Sequence, residues 1–148
     1  METKIQFSVF LVNRPNVLTQ VCRALAGDKI NILAMTMMDG QEHGVLRLVP
    51  ANVAKTRAVL KKLNAAFTET EVLLIEMPNK PGAAAEVCQK LGAAKVAVNY
   101  MYCSTAGSGG AVGIFRVTDP TKAKRALEVK RKSNRDTRMR RRQPVMRR

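Results

Sequence analysis

Two short segments hold side chains with chemistry to offer: Asn13-Arg14-Pro15-Asn16 and, 66 positions later, Asn79-Lys80-Pro81-Gly82. Each stands between an apolar run and a helix-period pattern. Proline has no amide hydrogen and suits the first turn of a helix. The amides that follow, at Asn16 and Val17 or Gly82 and Ala83, are therefore expected to point unpaired past a helix N-terminus. Such a terminus attracts a small carboxylate, and an Asn side chain offers both a donor and an acceptor. The pair suits a ligand with an ammonium and a carboxylate, as in a free α-amino acid. One such turn by itself reads as plain helix capping; the same constellation twice at one offset argues for binding. The candidate ligand contacts are Asn13, Arg14, Pro15, Asn16 and Val17 in the first turn and Asn79, Lys80, Pro81, Gly82 and Ala83 in the second.

The elements that must position these turns also repeat. From Phe7 the pattern recurs 66 positions later for about thirty residues, and Val21-Cys22 lies over Val87-Cys88, Leu25 over Leu91 and Lys29-Ile30 over Lys95-Val96. One extra residue then makes the offset 67, and Lys55, Arg57 and Leu60 fall over Lys122, Lys124 and Leu127. A period this long is a duplicated small domain, not a solenoid. Ile5, Phe7, Val9 and Leu11 alternate with polar Gln6 and Ser8, which is strand period. Val17, Leu18, Val21, Cys22 and Leu25 share one helical face, and Gly27 closes that helix. Strands are predicted over Ile30–Met38 and Val45–Val49, a helix capped by Asn52, and a strand over Thr68–Met77. The second copy is predicted to run through Val72–Met77, a helix from Pro81 to Leu91, strands over Lys95–Cys103 and Ala111–Val117, and a helix begun by Asp119-Pro120.

The fold class is thus α+β, two βαββαβ repeats over residues 3–71 and 72–127, with Thr68–Glu71 finishing one sheet and Val72–Met77 beginning the next. After Leu127 the apolar pattern stops, so the closing strand of the second repeat is missing or degraded. Its loss is expected to leave the Val72–Met77 edge open for pairing.

Two copies of N-[RK]-P-[NG], each followed by an amphipathic helix and then K-I-N-I or K-V-A-V, resemble tandem ACT domains over roughly residues 3–127. The resemblance implies ferredoxin-like repeats with helices on one face. It also implies a non-enzymatic regulatory protein whose domains associate, as in a homodimer, and bind an amino acid at their interface to control a biosynthetic enzyme or other partner. In that family the Asn of the turn and an Asn leading into the second strand contact the ligand; here these are Asn13, Asn79 and Asn31. Asn16 departs from the usual Gly, which hinders close backbone approach unless it takes an unusual conformation. Ala97 stands where the first repeat has Asn31, so two unequal sites are expected.

Composition narrows the alternatives. At 148 residues the chain is too short for a large multidomain enzyme, and no apolar run approaches a membrane span. METKIQFSVF lacks the form of a secretory signal, which makes cytoplasmic residence the expectation. Cys22, Cys88 and Cys103 include no CxxC, so no disulfide framework, metal site or cofactor is indicated. Cys22 and Cys88 are expected on buried helix faces, and Met35, Met37, Met38 and Met101 in core or inter-domain packing. His43 reads as a polar hairpin residue with no nucleophile beside it, and Gly107-Ser108-Gly109-Gly110 as a flexible hairpin rather than a phosphate loop.

The net charge of +15 is unevenly placed: residues 128–148 hold ten Lys or Arg against Glu128 and Asp136, an excess of eight. This solvated tail lacks the apolar content to fold alone. Arg138, Arg140, Arg141 and Arg142 suit phosphate contacts, which makes an accessory nucleic-acid-associated protein the alternative reading. No aromatic in the tail can stack on bases.

Overall fold

A computed structural model describes residues 1–38, 40, 43–105 and 110–128. The first repeat comprises β1 (Glu2–Val12), α1 (Val17–Gly27), β2 (Ile32–Met38), β3 (His43–Pro50) and α2 (Val53–Lys62). The strand β4 (Ala66–Pro78) follows, then α3 (Ala83–Ala93), β5 (Val98–Thr105), β6 (Gly110–Val117) and α4 (Pro120–Glu128). The chain is α+β with six antiparallel strands and four helices.

The strands form one sheet in the order β2-β3-β1-β4-β6-β5, in place of the two expected. The cause is β4, which is 13 residues long and runs unbroken across residues 71 and 72. Its first half pairs with β1 (Phe7 opposite Glu69, Phe10 opposite Ala66), as the fourth strand of the first repeat should. Its second half pairs with β6 (Leu73 opposite Phe115, Met77 opposite Ala111), as the first strand of the second repeat should. The N-terminal end of β1 also covers part of the edge expected to be open, with Glu2, Thr3 and Lys4 opposite Leu74, Leu73 and Val72. Only the stretch after Leu74 runs past the β1 pairing. The first strand of one repeat thus stands in for the closing strand of the other.

Each repeat has its own aliphatic core beneath its helices. Phe7, Val9, Leu11, Leu46 and Leu48 of the sheet meet Val21, Leu25, Val59 and Leu60 of α1 and α2. Leu73, Ile75, Met77, Phe115 and Val117 meet Val87, Leu91 and Ala123 of α3 and α4. Side chains of this size contribute about 1.5–3 kcal/mol each when fully buried, which lets a chain without Trp hold its shape.

The other face of the sheet is closed as well. Val49, Val72, Leu74 and Ile114 form a third cluster, on which Ala34 of β2 and Tyr102 of β5 both pack. These two strands lie at opposite ends of the strand order, so the sheet is rolled with its helices outside. Inside the roll Gln6 of β1 is fully buried. It donates to the Tyr100 hydroxyl at 2.7 Å and accepts from the Tyr102 hydroxyl at 3.1 Å. The Arg47 guanidinium lies 3.6 Å from the centre of the Tyr100 ring. Burial, with Tyr100 adding to it, pushes the Tyr102 hydroxyl well above the usual tyrosine range and keeps it a neutral donor.

Candidate ligand-binding site

Both candidate turns fold alike. Arg14 donates its amide to the Val12 carbonyl at 2.8 Å, and Lys80 to that of Pro78 at 3.0 Å. Asn16 and Gly82 then take the left-handed conformation, at φ 70° and 87°, and act as N-caps. Asn16 thus adopts the unusual backbone that its substitution for Gly demands. Pro15 and Pro81 precede the helices instead of opening them, because the left-handed residue must be passed before helical geometry begins. The amides of Val17 and Ala83, expected free, are engaged within the turns, donating to Arg14 O at 3.4 Å and Lys80 O at 3.2 Å. Neither helix has a side-chain cap.

Each turn sits beside a cleft, and the two clefts correspond. The first, of about 500 Å³, is lined by Phe10, Leu11, Val12, Val17, Gln20, Val21, His43 and Leu63–Ala66. The second, of about 470 Å³, is lined by Ile75–Pro78, Ala83, Glu86, Val87 and Lys90 with Met1, Leu127 and Glu128. Val17 and Ala83, Gln20 and Glu86, and Val21 and Val87 are pairs at the repeat offset. Of the ten candidate ligand contacts in the two turns, only Val17 and Ala83 line these clefts. Asn13, Arg14, Pro15, Asn16, Asn79, Lys80, Pro81 and Gly82 form the turns beside them.

Electrostatics separate the two clefts. The first turn of α1 has no acidic residue, so the positive end of its dipole is uncompensated. The first turn of α3 carries Glu86, and Glu76 and Glu128 line the same cleft with Lys90 as the opposing charge. The second cleft is therefore the more acidic of the two. Gln20 against Glu86 is the sequence signal for this, and it shows only once the helix face is known. His43, the first residue of β3 rather than a hairpin residue, also lines the first cleft.

Asn31 belongs to the other end of its own repeat. It is exposed, precedes β2, and its carbonyl accepts from the Ala51 amide at 2.9 Å. Because β1 and β4 are antiparallel, Asn31 shares an end of the sheet with the Asn79 turn, and Ala97 shares one with the Asn13 turn. Met35, Met37, Met38 and Met101 are exposed on the edge strands and not in the core, since β2 and β5 have a neighbour on one side only. Cys22 and Cys88 are half-buried rather than buried. The readings of Gly107–Gly109 and of the tail arginines Arg138, Arg140, Arg141 and Arg142 lie outside the described residues. Among the described residues, no helix is long and apolar enough to cross a membrane.

A family model described as an ACT domain pair matches residues 2–137. A protein of solved structure from Bacteroides thetaiotaomicron is 32% identical, with a TM-score of 0.81 over 87% of this chain and 89% of that one. The ligand-free regulatory subunit of aspartate kinase from Thermus thermophilus is similar at a TM-score of 0.63 and 11% identity, covering 85% of this chain and 90% of that one. The regulatory subunit of aspartate kinase from Thermus flavus gives 0.60 at 12% identity, with coverage of 86% and 91%. At those two identities the likeness is one of fold. No curated protein matches significantly.

Proposed function

The chain belongs to the family of ACT domain pairs, whose domains are regulatory rather than catalytic, and we propose that it is a non-enzymatic sensor of a free amino acid. The ligand sits in the first cleft, its carboxylate toward the amino end of α1 and its ammonium toward the Asn13 side chain and the neighbouring carbonyls. The observation that carries this reading is the uncompensated terminus of α1 opening on a cleft of about 500 Å³, against an acidic counterpart in the second repeat. The duplicated turn supports it, and the regulatory subunits of similar fold are consistent with it.

Binding acts by shifting the association of domains, within one chain or between two copies in a dimer, and a biosynthetic enzyme or other partner reads the change. Leu33, Met35, Met37 and Met38, exposed along the β2 edge, support association of copies through that edge.

A thermal-shift titration of the purified chain against each common amino acid tests the reading. A ligand of the folded state adds about 2.7 kcal/mol of stability at a hundred times its Kd. A selective rise, weakened more by Asn13→Ala than by Asn79→Ala, is expected. No rise with any amino acid, or an equal response of both variants, overturns the assignment to the first cleft.

A further inference from the structure

The edge strands carry a second constellation, built of sulfur. On the helix side of β5, Met101 and Cys103 lie opposite Phe115 and Gly113 of β6, and α3 brings Cys88 against the same edge. The Cys88 Sγ and Met101 Sδ atoms are 4.0 Å apart. Metal–sulfur bonds of about 2.3 Å place three sulfurs around one ion in a trigonal plane about 4.0 Å from each other. Cys103 stands two residues from Met101 on the same face of β5, the edge against which α3 brings Cys88. The absence of a side chain at Gly113 makes the room, since a Cβ there would come within 3.2 Å of the Cys103 Sγ. All three sulfurs are reachable, with Cys103 and Met101 exposed and Cys88 half-buried. Cys103 also lines the cavity of about 200 Å³ in which β5 faces β2.

The first repeat carries the matching set. At the repeat offset, Cys22, Met35 and Met37 correspond to Cys88, Met101 and Cys103, and Met35 and Met37 lie opposite Leu48 and Leu46 of β3 as their counterparts lie opposite β6. The two sets differ in one respect: the second has two thiols and one thioether, the first one thiol and two thioethers. Two thiolates carry the charge that a cation needs. Among the described residues no three His, Cys, Asp or Glu side chains gather around one point; thiolates with a thioether suit a soft ion and not magnesium or calcium, and three sulfurs leave zinc one ligand short of its usual four.

We propose that Cys88, Met101 and Cys103 form a site for one soft monovalent cation, Cu(I) in the cell. On binding, the two thiols release their protons to solvent and the thiolates with the Met101 thioether coordinate the ion; no electron moves. The site lies on the edge of the second repeat, away from the first cleft, and stands or falls independently of amino-acid binding.

The test is an anaerobic competition for Cu(I) between the reduced full chain, first shown to have three titratable thiols, and a chromophoric Cu(I) chelator. One ion per chain is expected, with thiolate-to-metal charge-transfer absorption. Cys88→Ser and Cys103→Ser each weaken uptake more than tenfold, Met101→Leu several-fold, and Cys22→Ser leaves it unchanged. Circular dichroism checks that each variant is folded, and because three separate changes are read, one that fails to fold leaves the others decisive. Failure of the chain to compete, uptake indifferent to both Cys88→Ser and Cys103→Ser, or equal loss in Cys22→Ser overturns the proposal.

Discussion

Gln6 and Tyr100 stand 94 residues apart and in different repeats, yet the Gln6 side-chain amide donates to the Tyr100 hydroxyl at 2.7 Å inside the rolled sheet. Gln6 is fully buried and also accepts from Tyr102, so truncating it strips two hydroxyls of their partner within the roll. Leaving a buried polar group unsatisfied costs about 1–3 kcal/mol. Gln6→Ala is expected to lower stability by about that amount or somewhat more, because a cavity adds to it. Urea unfolding measures the difference. A loss under about 0.5 kcal/mol would mean that water takes the place of the amide.

The two turn residues with positive φ give an opposite pair of effects. A Cβ at Gly82 meets nothing within 4 Å, so any cost of Gly82→Ala comes from its φ of 87° alone. That conformation costs an L-residue roughly 1–2 kcal/mol. Asn16, at φ 70°, already bears part of this cost, and Asn16→Gly should be neutral or stabilising by a few tenths of a kcal/mol. Thermal melts of both variants check the signs.

Gly113 is constrained by space rather than by backbone. A Cβ there would lie 2.6 Å from Phe115 Cε2 and 2.7 Å from Met77 Cε. Gly113→Ala must displace a fully buried Phe ring, and overpacking of this kind costs about 1–3 kcal/mol. Chemical denaturation should show that loss, with Gly110→Ala, which meets open space, as the comparison.

Acid should weaken one link between α2 and the sheet. Arg57 donates from Nε to Glu69 Oε1 at 2.6 Å and from its terminal nitrogen to Oε2 at 2.7 Å. These hydrogen bonds hold the Glu69 carboxyl below its ordinary value of 4.5, desolvation opposing them and the Arg57 and Lys61 charges assisting. With the folded value depressed, the stabilisation is fully present above the ordinary value and lost as pH falls through the folded one. The difference in urea midpoint between the wild-type chain and Glu69→Gln should therefore be constant near neutrality and close below about pH 4.5. The effect is small, because both side chains are partly exposed.

Period-two and helical patterns made the order of strands and helices legible, because burial on one face writes directly into residue choice. Ends were less so. Gly27 was expected to close α1 and is its last residue, but the left-handed position is Lys29, at φ 54°, and Lys95 repeats it at 56°. There the amides of Ile30 and Val96 return to Leu25 and Leu91 at 3.0 and 2.9 Å. Those bonds hold Ile30 and Val96 in the helix closures and delay β2 and β5 to Ile32 and Val98. Asn52 and Asp119 were legible as caps, since each accepts from the amide three residues on. The candidate turns were legible from their residues, but the acidity of the second cleft was not, because Glu76, Glu86 and Glu128 converge only in three dimensions. The rolling of the sheet left no local mark: Gln6 reads as a solvent-facing residue in an alternating strand and is enclosed by tyrosines of the distant repeat.

The shared strand β4 carries a consequence for how the chain comes apart. No peptide bond between the repeats can be cut without severing a strand that is hydrogen-bonded on both sides, to β1 and to β6. Half-molecules made by division at residue 71 would each expose a broken ladder, and neither would be a self-sufficient unit. The repeats, for all their likeness, should therefore melt in a single calorimetric transition, and any signal arising in one of them is delivered to the other through a common backbone.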